Sequence, residues 1–161
     1  MKQDKKGVNV VPEIFGIKFE YSQLHTLQYL KNNGILWNDD DFCFQSYREG
    51  NINHYERLFY RNGNQAEKPF TGLVYELYPD GSLLGYSYYV SGYKENDDTE
   101  FYPNGQIKTY TNFCKAKLKT LILEWYESGQ INKITQLTNH SKSMIEIEYD
   151  EYGNIINQYK R

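Results

Sequence analysis

Four glutamates, Glu76, Glu100, Glu124 and Glu148, recur at a constant interval of 24 residues, and Tyr78, Tyr102 and Tyr126 stand two places after the first three. Carboxylates at regular spacing can match the charge of a surface rich in lysine and arginine. Phenols beside them add the contact area that charge alone lacks. The same residues also suit a polar face that meets solvent and pairs with lysines on adjacent strands. Catalysis would ask for a nucleophile, a base and a group that orients the base. His25, His54 and His140 lie far apart in unlike surroundings, no glycine-rich phosphate loop follows a strand, and no cysteine–histidine spacing suits zinc. The run Asn38-Asp39-Asp40-Asp41 lacks the alternating ligands, central glycine and distal glutamate of a calcium loop, and reads as a solvated turn. The expectation is a protein that is not an enzyme and uses no cofactor or metal.

The interval belongs to a longer phrase. YELYPDGSL (75–83), TEFYPNGQI (99–107), LEWYESGQI (123–131) and IEYDEYGNI (147–155) place Gly81, Gly105, Gly129 and Gly153 in register. Four copies at one period mark a repeat architecture. Each phrase reads as a β-hairpin: Pro79-Asp80 suits a type I turn, and the glycine takes the positive φ of the following bulge. A second, weaker turn signal lies between the phrases, with Gly92 in the first unit, Ala116 in the next and His140 after it. Each unit is then two strands and two turns, and the array is an antiparallel meander with no room for parallel crossovers.

Alternation along the first strand of each unit assigns its faces. Tyr75 with Leu77, Thr99 with Phe101, Leu123 with Trp125, and Ile147 with Tyr149 form the apolar side. Each glutamate and its tyrosine (Asp150 in the last copy) point the other way. Equivalent strands lie two apart, so the glutamates are expected roughly 9–10 Å from one another, a spacing that screening over about 8 Å makes tolerable.

The chain of 161 residues carries a net charge of −3, which argues against a nucleic-acid partner. Seventeen tyrosines and two tryptophans suit strands or a recognition surface. Cys43 and Cys114 read as reduced, semi-buried thiols. No apolar stretch has the form of a secretory signal or the length of a membrane span, so a cytoplasmic protein without membrane contact is expected.

The N-terminal part, residues 1–65, reads as an elaboration that caps the repeats of residues 66–161, the whole forming one unit. Val8–Val11 and Ile14–Phe19 are candidate strands. Tyr21–Leu30 is the one convincing helix, with Ser22 as its candidate N-cap, His25 within it and Asn33-Gly34 as its stop. Ile35–Trp37 and Phe42–Tyr47 read as strands. Tyr47 to Gly50 and Tyr60 to Gly63 echo the repeat faintly before an insertion near 64–68.

The tyrosine–proline–x–glycine–x–(isoleucine or leucine) turns, the preceding aromatic and the 24-residue interval resemble the MORN repeat variant over about residues 70–157. The resemblance implies a mainly β fold, a MORN-like array of antiparallel hairpins with one short N-terminal helix. In bacteria this repeat is typical of the YwqK family of antitoxins, similar to immunity proteins of polymorphic toxin systems. It therefore implies an inhibitor that binds a cognate toxin, of which nucleases are one class, and blocks its active site. Glu76, Tyr78, Glu100, Tyr102, Glu124 and Tyr126 are the candidate toxin-binding residues. The alternative that the same repeat implies is a structural or membrane-associated scaffold for protein–protein interaction. The basic residues Lys108, Lys115, Lys117, Lys119 and Lys133 are scattered or in a loop, which favours the inhibitor over a lipid-binding scaffold.

Overall fold

The computed structural model describes residues 19–49, 52–61, 67–114, 119–138 and 143–161. The candidate strand Val8–Val11, all of Ile14–Phe19 but its last residue, the glycines Gly50 and Gly63, and Ala116 and His140 lie outside them. The chain is mainly β. Its strands are β1 (Gly34–Leu36), β2 (Phe42–Glu49), β3 (Ile52–Tyr60), β4 (Lys68–Pro69), β5 (Gly72–Leu77), β6 (Leu83–Val90), β7 (Tyr93–Phe101), β8 (Ile107–Cys114), β9 (Lys119–Trp125), β10 (Ile131–Thr138), β11 (Ser143–Tyr149) and β12 (Ile155–Lys160). Among the described residues one α-helix, α1 (Leu27–Asn33), precedes them.

From β5 to β12 every neighbour is the next strand in sequence and every pairing is antiparallel. That is the expected meander. Its turns are built alike. The Gly81 N–H donates to the Tyr78 carbonyl at 2.9 Å, and the Tyr78 N–H donates to the Ser82 carbonyl at 2.9 Å. The same two bonds close the turns at Tyr102–Gln106, Tyr126–Gln130 and Asp150–Asn154. The turn glycine has φ of +84° at Gly81, where a side chain would clash with its own backbone.

Each hairpin also carries a second irregularity that alternation does not reveal. Leu77 pairs with Leu83 but Glu76 pairs with Gly85, which leaves Leu84 as an extra residue. Lys108, Asn132 and Ile156 are extra in the same place, three residues after each turn glycine. Two bulges per hairpin strengthen the twist and turn the following strand over, so the apolar positions of both strands still meet.

The inner face of the meander is the one the alternation assigned. Tyr75, Tyr86, Thr99, Tyr110, Leu123, Ile134 and Ile147 are successive cross-strand partners and all are buried. Trp125 is the largest side chain buried to less than 2 % exposure. The N-terminal segment covers this face. Phe19 lies 5.3 Å from Trp125 and 4.7 Å from Tyr110, ring centre to ring centre, and Leu30 of α1 is fully buried among Leu73, Tyr75 and Tyr86.

The helix begins later than its sequence signals indicate. Tyr21–Gln23 is a single 3₁₀ turn, and Ser22 caps nothing. Leu24 is extended and packs against the cluster around Trp125. Thr26 is the true N-cap: its Oγ1 accepts the Tyr29 N–H at 3.2 Å. His25 therefore precedes α1. Burying Leu24 on the sheet requires an extended residue where an early helix would have turned it away.

A crossover lies between β1 and β5, which pair in parallel, Gly34 opposite Leu73 and Leu36 opposite Tyr75. The parallel pair closes the near end of the array. Within the crossover, β2, β3 and β4 make a small antiparallel sheet. It covers the outer face at the start of β5 and the end of β6, where Phe42, Leu58, Phe70, Val74 and Tyr89 form one cluster. Asn38 holds the expected turn, its Oδ1 accepting the N–H groups of Asp40 and Asp41.

The tip of the β6–β7 hairpin fastens the two sheets together. The Gly92 N–H donates to the Phe70 carbonyl at 2.6 Å, and the Gly92 carbonyl accepts the Leu58 N–H at 2.8 Å. The Arg57 guanidinium donates twice to the Ser91 carbonyl and lies 4.9 Å from the Tyr93 ring centre.

Candidate functional site

The outer face of the meander carries the carboxylates as one row. Cross-strand register runs Glu76, Gly85, Glu100, Thr109, Glu124, Lys133, Glu148, Asn157 across β5 to β12. Each glutamate stands two strands from the next, with a small, polar or basic residue between. Asp98 and Glu146 sit on the same face, opposite Ser87 and Thr135.

Three described lysines answer these charges. Lys94 Nζ lies 2.8 Å from Asp98, and Lys108, the extra residue of its bulge, lies 3.1 Å from Glu100. Lys133 bridges Glu146 at 2.9 Å and Glu148 at 3.2 Å. The Asn157 amide and the Lys133 ammonium hold the Glu148 carboxyl below its ordinary range, while Glu100 raises Lys108 and Glu146 raises Lys133. Glu76 moves the other way. Partial burial, and then the negative charge of Glu100, push its carboxyl up. Pairing thus reaches Glu100 and Glu148. Glu76 and Glu124 carry charge that no described lysine bonds, so the row as a whole is negative.

The tyrosines of the row are half-buried, and their hydroxyls serve the fold. Tyr78 Oη donates to the Phe101 carbonyl at 2.7 Å, Tyr102 Oη to the Trp125 carbonyl at 2.9 Å, and Tyr126 Oη to the Tyr149 carbonyl at 2.9 Å. Each repeat is stapled to the next by the same bond. Asp150 takes this position in the last copy and bonds to its own turn, accepting the N–H groups of Tyr152 and Asn154. Of the six candidate binding residues, Glu100 is paired with Lys108, Glu76 and Glu124 form no ion pair with a described lysine, and the three tyrosines offer only their rings.

A second site was not visible in the sequence reading. On the inner face, beyond α1, a cleft of about 500 Å³ is lined by His25 and Tyr29 on one side and by Tyr86, Tyr88, Asp97 and Tyr110 on the other. Asp97 Oδ1 accepts the Tyr110 hydroxyl at 2.7 Å and the Asn112 amide at 3.0 Å. His25 stacks on Tyr29 at 4.5 Å between ring centres, and its backbone N–H donates to Tyr86 Oη at 3.2 Å. Burial pushes the Tyr86 and Tyr110 phenols up. Tyr86 and Tyr110 are equivalent residues, each five after a turn glycine, and this pairing was the available signal. What hid the site is that His25 and Tyr29 reach it from 60 residues away in sequence.

Among the described residues no group of three or more histidines, cysteines, aspartates or glutamates is placed to hold a metal ion. No helix among them is long and apolar enough to cross a membrane. Compared with family models, with curated proteins and with solved structures, the chain matches none.

Proposed function

We propose that this chain is an immunity-type inhibitor that binds a basic partner protein through the outer face of β5 to β11. The partner is a cognate toxin whose substrate-binding surface is rich in lysine and arginine, as a nuclease site is. The supporting observation is the row Glu76–Glu100–Glu124–Glu148, in which, among the described residues, no lysine forms an ion pair with Glu76 or Glu124. A rigid, twisted sheet holds these charges at fixed spacing before contact, so binding needs little ordering of the carboxylates. Tyr78, Tyr102 and Tyr126 contribute ring surface beside the charges, their hydroxyls being held by the next repeat. The protein acts in the cytoplasm, by occlusion rather than by catalysis.

The test reverses Glu76, Glu100 and Glu124 to lysine together, after circular dichroism shows that the fold survives. The protein encoded beside this chain is the partner to assay, by co-purification and by rescue of growth. Loss of binding, with the parent interaction weakening as salt rises, is the expected result. Unchanged affinity and unchanged salt dependence would remove the row from the interface. A scaffold on anionic membranes would instead show itself as co-sedimentation of the parent protein with anionic vesicles.

A further inference from the structure

We propose that the inner cleft between α1 and β6–β8 binds a small organic cation with an apolar shell, of the methylated-ammonium class. Four tyrosines line it, Tyr29, Tyr86, Tyr88 and Tyr110, and its volume of about 500 Å³ lies in the range that holds small ligands. The faces of aromatic rings are electron-rich and attract cations, most strongly where water is partly excluded. No lysine or arginine is among the lining residues, and Asp97 is their single carboxylate.

Asp97 is held for this use. The Tyr110 hydroxyl and the Asn112 amide both donate to Oδ1, so the carboxylate keeps its position on the wall of the cleft. Both rings are uncharged at physiological pH, and burial raises the Tyr86 and Tyr110 phenols further above it. The backbone beside the cleft is deformed as well. Ser87 pairs with Asp98 and Tyr89 with Lys94, so Glu95, Asn96 and Asp97 together oppose Tyr88. Asn96 adopts φ of +60°, a left-handed conformation that asparagine accepts more readily than most residues. Bulges of this kind re-aim side chains beside binding sites. An anion would meet Asp97 unfavourably, and a neutral ligand would lack the charge attraction that a cation gains from it.

The site lies on the face opposite the carboxylate row, so it stands independently of the inhibitor reading. The experiment titrates the full chain with choline by calorimetry and by amide NMR shifts. A parallel titration uses the neutral alcohol that carries a tert-butyl group in place of the trimethylammonium. Saturable binding of choline is expected, with shifts confined to residues of the cleft and the neutral analogue at least about tenfold weaker. Tyr29→Leu, at an exposed residue whose loss the fold tolerates, and Asp97→Asn should each weaken choline by about tenfold. Absence of saturable binding, equal binding of the neutral analogue, or unchanged affinity in a folded Tyr29→Leu variant would each overturn the proposal.

Discussion

The Tyr102 hydroxyl donates to the Trp125 carbonyl at 2.9 Å, and so ties the turn of one repeat to the strand end of the next, 23 residues on. The bond joins an outward-facing residue to the backbone of the largest fully buried side chain in the array. It makes the stacking of the repeats specific in register as well as in burial.

Tyr102→Phe keeps the ring and deletes that bond. It should cost about 0.5–1.5 kcal/mol in urea denaturation, the usual worth of one hydrogen bond. Tyr78→Phe, which removes the equivalent bond to Phe101, should cost a similar amount and add to the first. A silent Tyr102→Phe would mean that water replaces the hydroxyl without loss.

Trp125→Ala should cost roughly 3–5 kcal/mol, because the side chain is 1 % exposed and the sheet cannot collapse into the space it leaves. Glu124→Ala, one residue away on the outer face, should stay within about 0.5 kcal/mol of the parent. Equal losses at the two positions in thermal unfolding would contradict the assignment of faces.

Glu76→Gln should stabilise the protein slightly at neutral pH. Burial and the charge of Glu100 raise the folded carboxyl above its unfolded value, so ionising it opposes folding. That penalty is present above the folded pKa and disappears as pH falls through it. The gain from Gln, a few tenths of a kcal/mol at this exposed position, should therefore shrink as acid protonates Glu76 in the parent. Thermal midpoints at pH 7 and near pH 4 check the sign. A gain that grew on acidification would refute the argument.

Gly92→Ala and Gly105→Ala should differ although both glycines have positive φ, +83° and +82°. At Gly105 an added Cβ meets nothing within 4 Å, and the cost is that of the left-handed conformation, about 1–2 kcal/mol. At Gly92 the Cβ would lie 2.8 Å from the Leu58 carbonyl oxygen. Overpacking against β3 should bring the total to about 2–5 kcal/mol. Chemical denaturation of the two variants makes the comparison directly.

The meander could be read from the sequence because its causes are local. Pro79-Asp80-Gly81 carries its own turn chemistry, and Leu123 and Trp125 declare their face by alternation. The sequence placed Tyr78, Tyr102 and Tyr126 on the outer face but not the carbonyls that hold them, which lie one repeat further on. The parallel pairing of Gly34–Leu36 with β5 was hidden because it joins segments separated by the whole second sheet. Thr26 lost the cap to Ser22 in the reading because the burial of Leu24 is a tertiary demand. The cleft was missed for the same reason: His25 and Asp97 become neighbours only when the N-terminal segment lies down on the sheet.

The staples all run one way, from a turn tyrosine to the carbonyl of the following unit, and Asp150 breaks the series by bonding to its own turn. The array is thus a polar filament in miniature, with a socket at one end of each unit and a plug at the other. A duplicated interior unit, residues 102–125 inserted in tandem, brings both fittings and lengthens the sheet without a seam. The same unit grafted beyond β12 finds an aspartate where its plug should be. Extension of this molecule, in the laboratory or by gene duplication, is therefore favoured from within.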